Sequence, residues 1–328
     1  MDTHLVHRYI SSDNVGHFKA LPDAKSVLDI RHPRSGDSAI HIACRYGSVA
    51  VLEYFLNDLG SSTEGTTADG KRPLHDAAQY SQEGCVRILL EHGAEVDPLK
   101  RGDWTPLMLA CTKQSESIVT ILLKAGADPH LRNKDGWNSF HIACREGHLD
   151  VIQALHNHCS DVWDTKSNNM RTPLHTAALH GHKHIVLWML QNCHYTPDER
   201  DSCGTTPLMD AFRGGHTDVG QLLIEHHKAD IRLADKTGRQ AIHHASQTGH
   251  VHAIEFLVEK CGASIDVKSG MTGETPLHLA AREGHVKAVQ LLLRLGCNPD
   301  VDDARLHTAI NVASQGPHMD IQNCLTEK

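Results

Sequence analysis

Residues 172–175 read Thr-Pro-Leu-His, and this four-residue motif decides the fold because it returns along the chain at an almost constant spacing. Five copies keep Pro-Leu in the middle, and four weaker copies keep an apolar residue there or just before a histidine. The copies end at residues 41, 75, 108, 141, 175, 209, 243, 278 and 311. Their separation of 33 to 35 residues predicts a repeat array, whose contacts are local and which needs no central core.

Each part of the repeat has a local physical reason. Thr172 suits a helix N-cap, and Pro173 suits the first helical position, where the missing N–H breaks no hydrogen bond. Gly181 then predicts the end of that helix, because glycine tolerates the left-handed backbone that closes helices. Apolar residues between Ile118 and Leu123 follow the spacing of a second, amphipathic helix. The repeat unit is therefore predicted to be a helix-turn-helix.

The period and the motif together resemble the ankyrin repeat over residues 36–328. The resemblance implies an all-α solenoid of about nine helix-turn-helix repeats, joined by hairpin fingers. Residues 1–35 lack the motif, and their short apolar clusters predict an N-terminal helical cap. The last repeat has a polar second helix, from Met319 to Leu325, which predicts a C-terminal cap with a water-facing surface.

Composition argues against several classes of function and location. The net charge of −8 and the absence of a basic stripe argue against direct nucleic-acid binding. No apolar run approaches the length of about 18 residues that crosses a membrane, and Met1 to His4 do not begin a secretory signal. The ten cysteines include no Cys-x-x-Cys pair, and Cys44, Cys111 and Cys144 are predicted to be buried in helices. We expect a monomer in a reducing compartment, the cytoplasm or also the nucleus.

Catalytic and metal-binding patterns are not visible in the sequence. No Ser/His/Asp set, P-loop or Gly-x-Gly-x-x-Gly is present, so we predict a non-catalytic binding protein without a cofactor. The repeat accounts for many of the 28 histidines. His180, His182 and His184 alternate and do not share a helix face, so no metal site is predicted there. A metal-dependent hydrolase is the alternative from a different class, and metal analysis of the purified protein tests it.

Two tryptophans mark a candidate surface on neighbouring fingers. Trp104 and Trp137 each lie four residues before the end of a motif, and a basic residue lies three residues before each of them. Tryptophan and arginine are enriched among the residues that dominate protein interfaces. The predicted partner-binding residues are Trp104, Trp137, Asp103, Asp135 and Arg101. The alternative is structural: the rings stack on the next finger, and the charges are ordinary solvated loop charges.

A narrower resemblance within the ankyrin family rests on the runs at residues 101–108 and 133–143. They resemble a group that acts with alanyl-tRNA synthetase, which implies a proofreading co-regulator whose lysine side chains accept wrongly activated serine. The acceptor candidates on the matching repeats are Lys134, Lys100 and Lys166. Arg101 and Asp164 stand where that group has lysine. The alternative is a general scaffold for a signalling or ubiquitin-ligase partner.

Overall fold

The computed structural model describes residues 3–326, and within that range the regular elements are helices. Nine helix pairs follow the repeat. They are α3 (Ala39–Tyr46) with α4 (Val49–Asn57), α5 (Pro73–Gln79) with α6 (Glu83–Glu91), α7 (Pro106–Ala110) with α8 (Glu116–Lys124), α9 (Ser139–Glu146) with α10 (Leu149–His158), α11 (Pro173–Leu179) with α12 (Lys183–Asn192), α13 (Pro207–Arg213) with α14 (Thr217–His227), α15 (Ala241–Gln247) with α16 (Val251–Glu255), α17 (Pro276–Arg282) with α18 (Val286–Arg294), and α19 (Ala309–Ala313) with α20 (Met319–Thr326). The prediction of an all-α chain of paired helices is confirmed.

Three further helical elements precede the pairs. They are α1 (Thr3–Ser11), α2 (Gly16–Lys19) and a 3₁₀ helix (Ala24–Asp29). Helix α1 packs on α3. The boundary between residues 35 and 36 stays a prediction, and residues 1–2 and 327–328 of the predicted terminal segments lie outside the described residues.

The chain divides into two compact units, with the division between Thr165 and Lys166. In the first unit, α3, α5, α7 and α9 stack in order, and α4, α6, α8 and α10 form a second layer. In the second unit, α11, α13, α15, α17 and α19 stack in order, with α12 on α14 and α16, α18 and α20 in sequence. Burial of apolar side chains between successive repeats is the main stabilising term in each unit. No helix among the described residues has both the length and the apolar character to cross a bilayer.

The histidine of the motif joins several repeats to the next one along the chain. The backbone N–H of Thr172 donates to Nδ1 of His175 at 3.3 Å, and the opposite ring nitrogen lies 3.0 Å from the carbonyl oxygen of Thr205. Because an amide N–H only donates and a carbonyl only accepts, the ring is neutral with its proton on Nε2. Burial lowers the pKa of His175 to about 4, in agreement with that neutral form. The same arrangement recurs at His41, His75, His243 and His278.

Glycine at the end of the first helix allows a left-handed backbone and also leaves room for a histidine ring of the neighbouring repeat. Gly215 has φ 78°, so the predicted left-handed ending is confirmed. A Cβ at Gly215 would stand 2.6 Å from the ring of His250, whose Nε2 donates to the carbonyl of Arg213 at 3.1 Å. Ser81, which replaces this glycine, also adopts positive φ. Gln114 follows a shorter first helix that ends at Ala110.

Gly215→Ala is expected to destabilise the chain by roughly 2–5 kcal/mol, the sum of a left-handed alanine and an overpacked ring. Gly262→Ala is the matched control, because Gly262 has φ 67° and nothing within 4 Å of the added Cβ. It is expected to lose only about 1–2 kcal/mol. Urea unfolding of both variants, and of Gly215→Ala with His250→Ala, measures the difference. Equal losses in the two single variants would contradict the ring clash.

Candidate functional site

The two tryptophans predicted to bind a partner lie at equivalent positions on neighbouring fingers of the first unit. The N–H of Lys134 donates to the carbonyl of Gly102 at 3.0 Å, which joins the finger of Trp137 to the finger of Trp104. This backbone link recurs between other fingers within each unit, for example from Arg101 to Asp69 at 2.7 Å. The spacing of the two indoles is thus set by main-chain hydrogen bonds.

The indole of Trp104 is half-buried and one of its faces meets a cation. The ammonium of Lys100 lies 5.8 Å from the ring centroid, within the range of a cation–π contact. The carbonyl of Trp104 accepts hydrogen bonds from the N–H of Lys100 at 3.1 Å and from Nε2 of His75 at 3.1 Å. Asp103 forms the tip with φ 60°, a left-handed conformation that Asp adopts more readily than most residues. A cation–π contact and two hydrogen bonds therefore fix the position of this finger.

The indole of Trp137 is also half-buried and contacts two residues of the helix α9 that follows it. Its ring stacks on His141 at a centroid distance of 5.9 Å and an interplanar angle of 18°. The guanidinium of Arg145 lies 5.4 Å from the ring centroid. Neither tryptophan is enclosed in the core, and neither projects freely into solvent. Each presents part of a preordered aromatic surface, which lowers the conformational entropy lost when a partner binds.

The charged residues of the predicted site differ in exposure. Arg101, Lys134 and Asp135 are exposed, while Asp103 is half-buried. The structure brings these four together with the tryptophans, because all of them lie on the two joined fingers. Their role in binding stays a prediction.

The three lysine candidates occupy different environments. Lys100 is half-buried, and burial lowers its pKa although the nearby Asp69 opposes that effect. Lys134 is exposed. Lys166 belongs to the second unit and lies 3.7 Å from a carboxylate oxygen of Glu199. Two of the candidates are thus on the tryptophan-bearing fingers, and the third is held in an ion pair.

A cavity of about 520 Å³ lies beside Arg101 in the first unit, and sequence reasoning did not single it out. Its lining includes Arg34, Asp37, Arg45, Lys71, Tyr80 and Arg101. Arg45 lies 5.5 Å from the ring centroid of Tyr80 and pairs with Asp37 at 2.7 Å. The exposed Tyr80 lies five residues after the end of its motif, and an aromatic residue at that position was the available signal in the sequence. Four cationic side chains, from Arg34, Arg45, Lys71 and Arg101, and the two carboxylates of Asp37 and Asp69 thus line this cavity.

Asp210 anchors a buried charge network in the second unit. Its carboxylate accepts a hydrogen bond from Arg171 at 2.6 Å and lies 3.5 Å from Arg213. Burial raises the pKa of Asp210 to about 6 in spite of these cations. Arg213 also donates to Nδ1 of His244, whose Nε2 donates to Asp235 at 3.1 Å. Arg171 and Asp210, like Arg213 and His244, are about one repeat apart in sequence, so no short motif reveals the whole network.

Comparison with known proteins identifies the repeat. A model for three consecutive ankyrin repeats matches residues 6–100, 69–133, 107–201 and 185–269, and a single-repeat model matches residues 272–304. The chain belongs to the ankyrin-repeat family. Its all-helical ankyrin array is a protein-binding scaffold, of a type that is typically non-catalytic.

Similar curated proteins share short stretches of these ankyrin repeats. SH3 and multiple ankyrin repeat domains protein 2 of Homo sapiens is 37% identical over 76 residues, which is 23% of this chain and 4% of that protein. Protein phosphatase 1 regulatory subunit 12A of Mus musculus is 31% identical over 75 residues, 23% of this chain and 7% of that protein. E3 ubiquitin-protein ligase KEG of Arabidopsis thaliana is 30% identical over 89 residues, 27% of this chain and 5% of that protein. The matches span less than a tenth of each relative, so the likeness concerns the repeats.

Proposed function

We propose that the tryptophan fingers of this ankyrin array bind alanyl-tRNA synthetase, and that the chain is a co-regulator of its proofreading. The observation that carries the proposal is the pair of half-exposed indoles, Trp104 and Trp137, held in register by the hydrogen bond from Lys134 to Gly102. Ordered aromatic groups bordered by charge are typical centres of protein interfaces. The choice of partner rests on resemblance to ankyrin repeat domain-containing protein 16, above all in the run from Trp137 to His141.

The proposed chemistry is the capture of serine by a lysine amine. The neutral Nζ attacks the carbonyl carbon of seryl-adenylate, a C–N amide bond forms, the bond from that carbon to the phosphate oxygen breaks, and AMP leaves. The proton lost from the nitrogen goes to solvent. Only the neutral amine reacts, so the lowered pKa of Lys100 favours it as an acceptor. Exposure favours Lys134, whereas Arg101 is excluded because its guanidinium stays protonated.

Capture consumes the lysine, so the chain acts as a stoichiometric acceptor and not as an enzyme. Proximity on the synthetase compensates for the small neutral fraction of an ordinary lysine. Lys166 is the third candidate, and its ion pair with Glu199 must open before it reacts. The lowered pKa of Lys100 therefore places it before Lys166 as an acceptor.

The test is intact-mass analysis after incubation with alanyl-tRNA synthetase, serine and ATP. We expect seryl adducts that map to Lys100 and Lys134, each lost when that residue is changed to Arg. Lys124→Arg is the matched control, because Lys124 is exposed in the same unit but lies on α8, away from the fingers. A triple variant at residues 100, 134 and 166 that still gains the same adducts would assign the acceptor elsewhere. Absence of a complex at micromolar concentrations would defeat the choice of partner.

A general scaffold is the second candidate, favoured by the names of two relatives, a phosphatase regulatory subunit and a ubiquitin ligase. On this view the same fingers, with the cationic cavity beside Arg101, bind a signalling protein or a ubiquitin ligase. It predicts that changing both tryptophans to Ala abolishes another complex and leaves editing by alanyl-tRNA synthetase unaffected.

A further inference from the structure

Three side chains with metal-binding atoms converge in the first unit. His130 lies in the loop after α8, and Cys159 and Asp161 lie in the corresponding loop after α10. Nε2 of His130 is 3.1 Å from Sγ of Cys159 and 3.6 Å from Oδ1 of Asp161, and the sulfur is 2.9 Å from that oxygen. The three atoms thus form one small triangle at the protein surface.

The triangle has nearly the dimensions of one face of a tetrahedral zinc site. Bonds of roughly 2.3 Å to sulfur and 2.0–2.2 Å to nitrogen or oxygen place neighbouring ligand atoms about 3.3–3.6 Å apart. The observed separations of 2.9, 3.1 and 3.6 Å need only small side-chain movements to reach that geometry. His130 and Asp161 have side chains 47% and 76% exposed, so an ion can enter from solvent and keep water as a fourth ligand.

The ligand types select among metals. A thiolate and an imidazole are preferred by zinc, whereas magnesium and calcium require mostly oxygen ligands. One thiolate and one carboxylate also neutralise a divalent charge. Asp128 adds negative charge nearby and accepts the backbone N–H of His130 at 2.9 Å, which fixes the loop that carries the imidazole.

A catalytic cysteine explains the same cluster less well. In such sites the acidic group orients the imidazole through the nitrogen that faces away from the sulfur. Here Asp161 lies beside the same nitrogen, Nε2 of His130, that faces the sulfur.

We propose that His130, Cys159 and Asp161 form a zinc-binding site that ties together the loops after α8 and α10. On binding, the Cys159 thiol releases its proton to solvent, a zinc–sulfur bond forms, and no oxidant or reductant takes part. The ion crosslinks two successive repeats, and so it stabilises the first unit independently of any protein partner.

Zinc titration of the purified full chain, stripped of metal by chelator, tests the site. We expect one saturable site per chain by calorimetry, weakened at least about tenfold in His130→Ala, Cys159→Ser and Asp161→Asn. Cobalt supplies an independent signature, because a tetrahedral cobalt–thiolate complex has intense visible bands and a sulfur charge-transfer band that Cys159→Ser removes.

Cys203→Ser and His226→Ala are matched controls, because both residues are exposed and lie in the second unit, outside the cluster. Both variants are expected to bind zinc as the unchanged chain does. The ligand variants alter surface side chains, and their circular dichroism checks that they fold. Binding by Cys159→Ser equal to that of the unchanged chain, or no saturable site in the unchanged chain, overturns the proposal.

Discussion

Lowering the pH from 7 to 4.5 is expected to destabilise the chain by several kcal/mol, because buried neutral histidines join its repeats. Burial lowers the pKa of His75, His175 and His243 to about 4, against an ordinary value of 6.5. Between these values the unfolded chain binds more protons than the folded chain, so stability falls as pH falls through this window. At pH 4.5 each histidine contributes a loss on the order of 2–3 kcal/mol.

Protonation of Asp210 changes the stability of the chain in the opposite direction. Burial raises its pKa to about 6, so the folded chain binds the extra proton between about pH 4 and 6, and acidification there adds stability. Burial also raises the pKa values of Asp76, Asp97 and Asp198, which act in the same direction and offset part of the effect of the imidazoles. The net result is expected to be a loss, steepest between pH 6 and pH 4.5.

Urea midpoints measured across this pH range check the prediction. His175→Gln is expected to lower the free energy of unfolding at pH 7. It is also expected to weaken the dependence of that free energy on pH by the contribution of one titrating proton. His226→Gln, at an exposed position of α14, is expected to leave the slope as it is. A midpoint that stays constant from pH 7 to pH 4.5 would show that the motif histidines are not held neutral.

Changing Trp104 and Trp137 together to Ala is expected to weaken partner binding by about three orders of magnitude. Central interface aromatics contribute roughly 2 kcal/mol or more each, which is about 30-fold in the dissociation constant. Preordering of each ring by a cation, Lys100 or Arg145, adds to the loss, because the truncated fingers no longer present a rigid surface.

Calorimetry with alanyl-tRNA synthetase measures this loss, and circular dichroism confirms the fold of each variant. Trp188→Ala is the control, because Trp188 is also half-buried but lies on α12 of the second unit. Binding unchanged in the double variant would mean that the indoles have only a structural role. Equal losses in the double variant and in Trp188→Ala would indicate a general effect on folding.

Much of the fold could be predicted because its determinants are local. Thr172 and Pro173 start a helix through their own backbone preferences, and Gly181 ends it within two turns. Repetition of these signals made the helix pairs and the register of the fingers predictable. The buried cysteines follow in the same way, since Cys44 and Cys144 lie at one helical position relative to the motif.

The candidate site was predictable only in part. The register of Trp104 and Trp137 predicted that they lie on neighbouring fingers. It did not predict the cations that cover their faces or the half-burial of the rings. The buried network around Asp210 left no mark in the sequence, since its members are ordinary charged residues at variable positions.

The amino-acid sequence alone determined the helix pairs, their period and the family, because capping and glycine turns act over a few residues. The tertiary structure alone showed that the motif histidines bond to the next finger, and that His130 meets Cys159 and Asp161. These contacts join residues about 30 positions apart. Their existence depends on the rotation and separation of stacked repeats, quantities that side-chain packing sets and that short-range patterns do not encode.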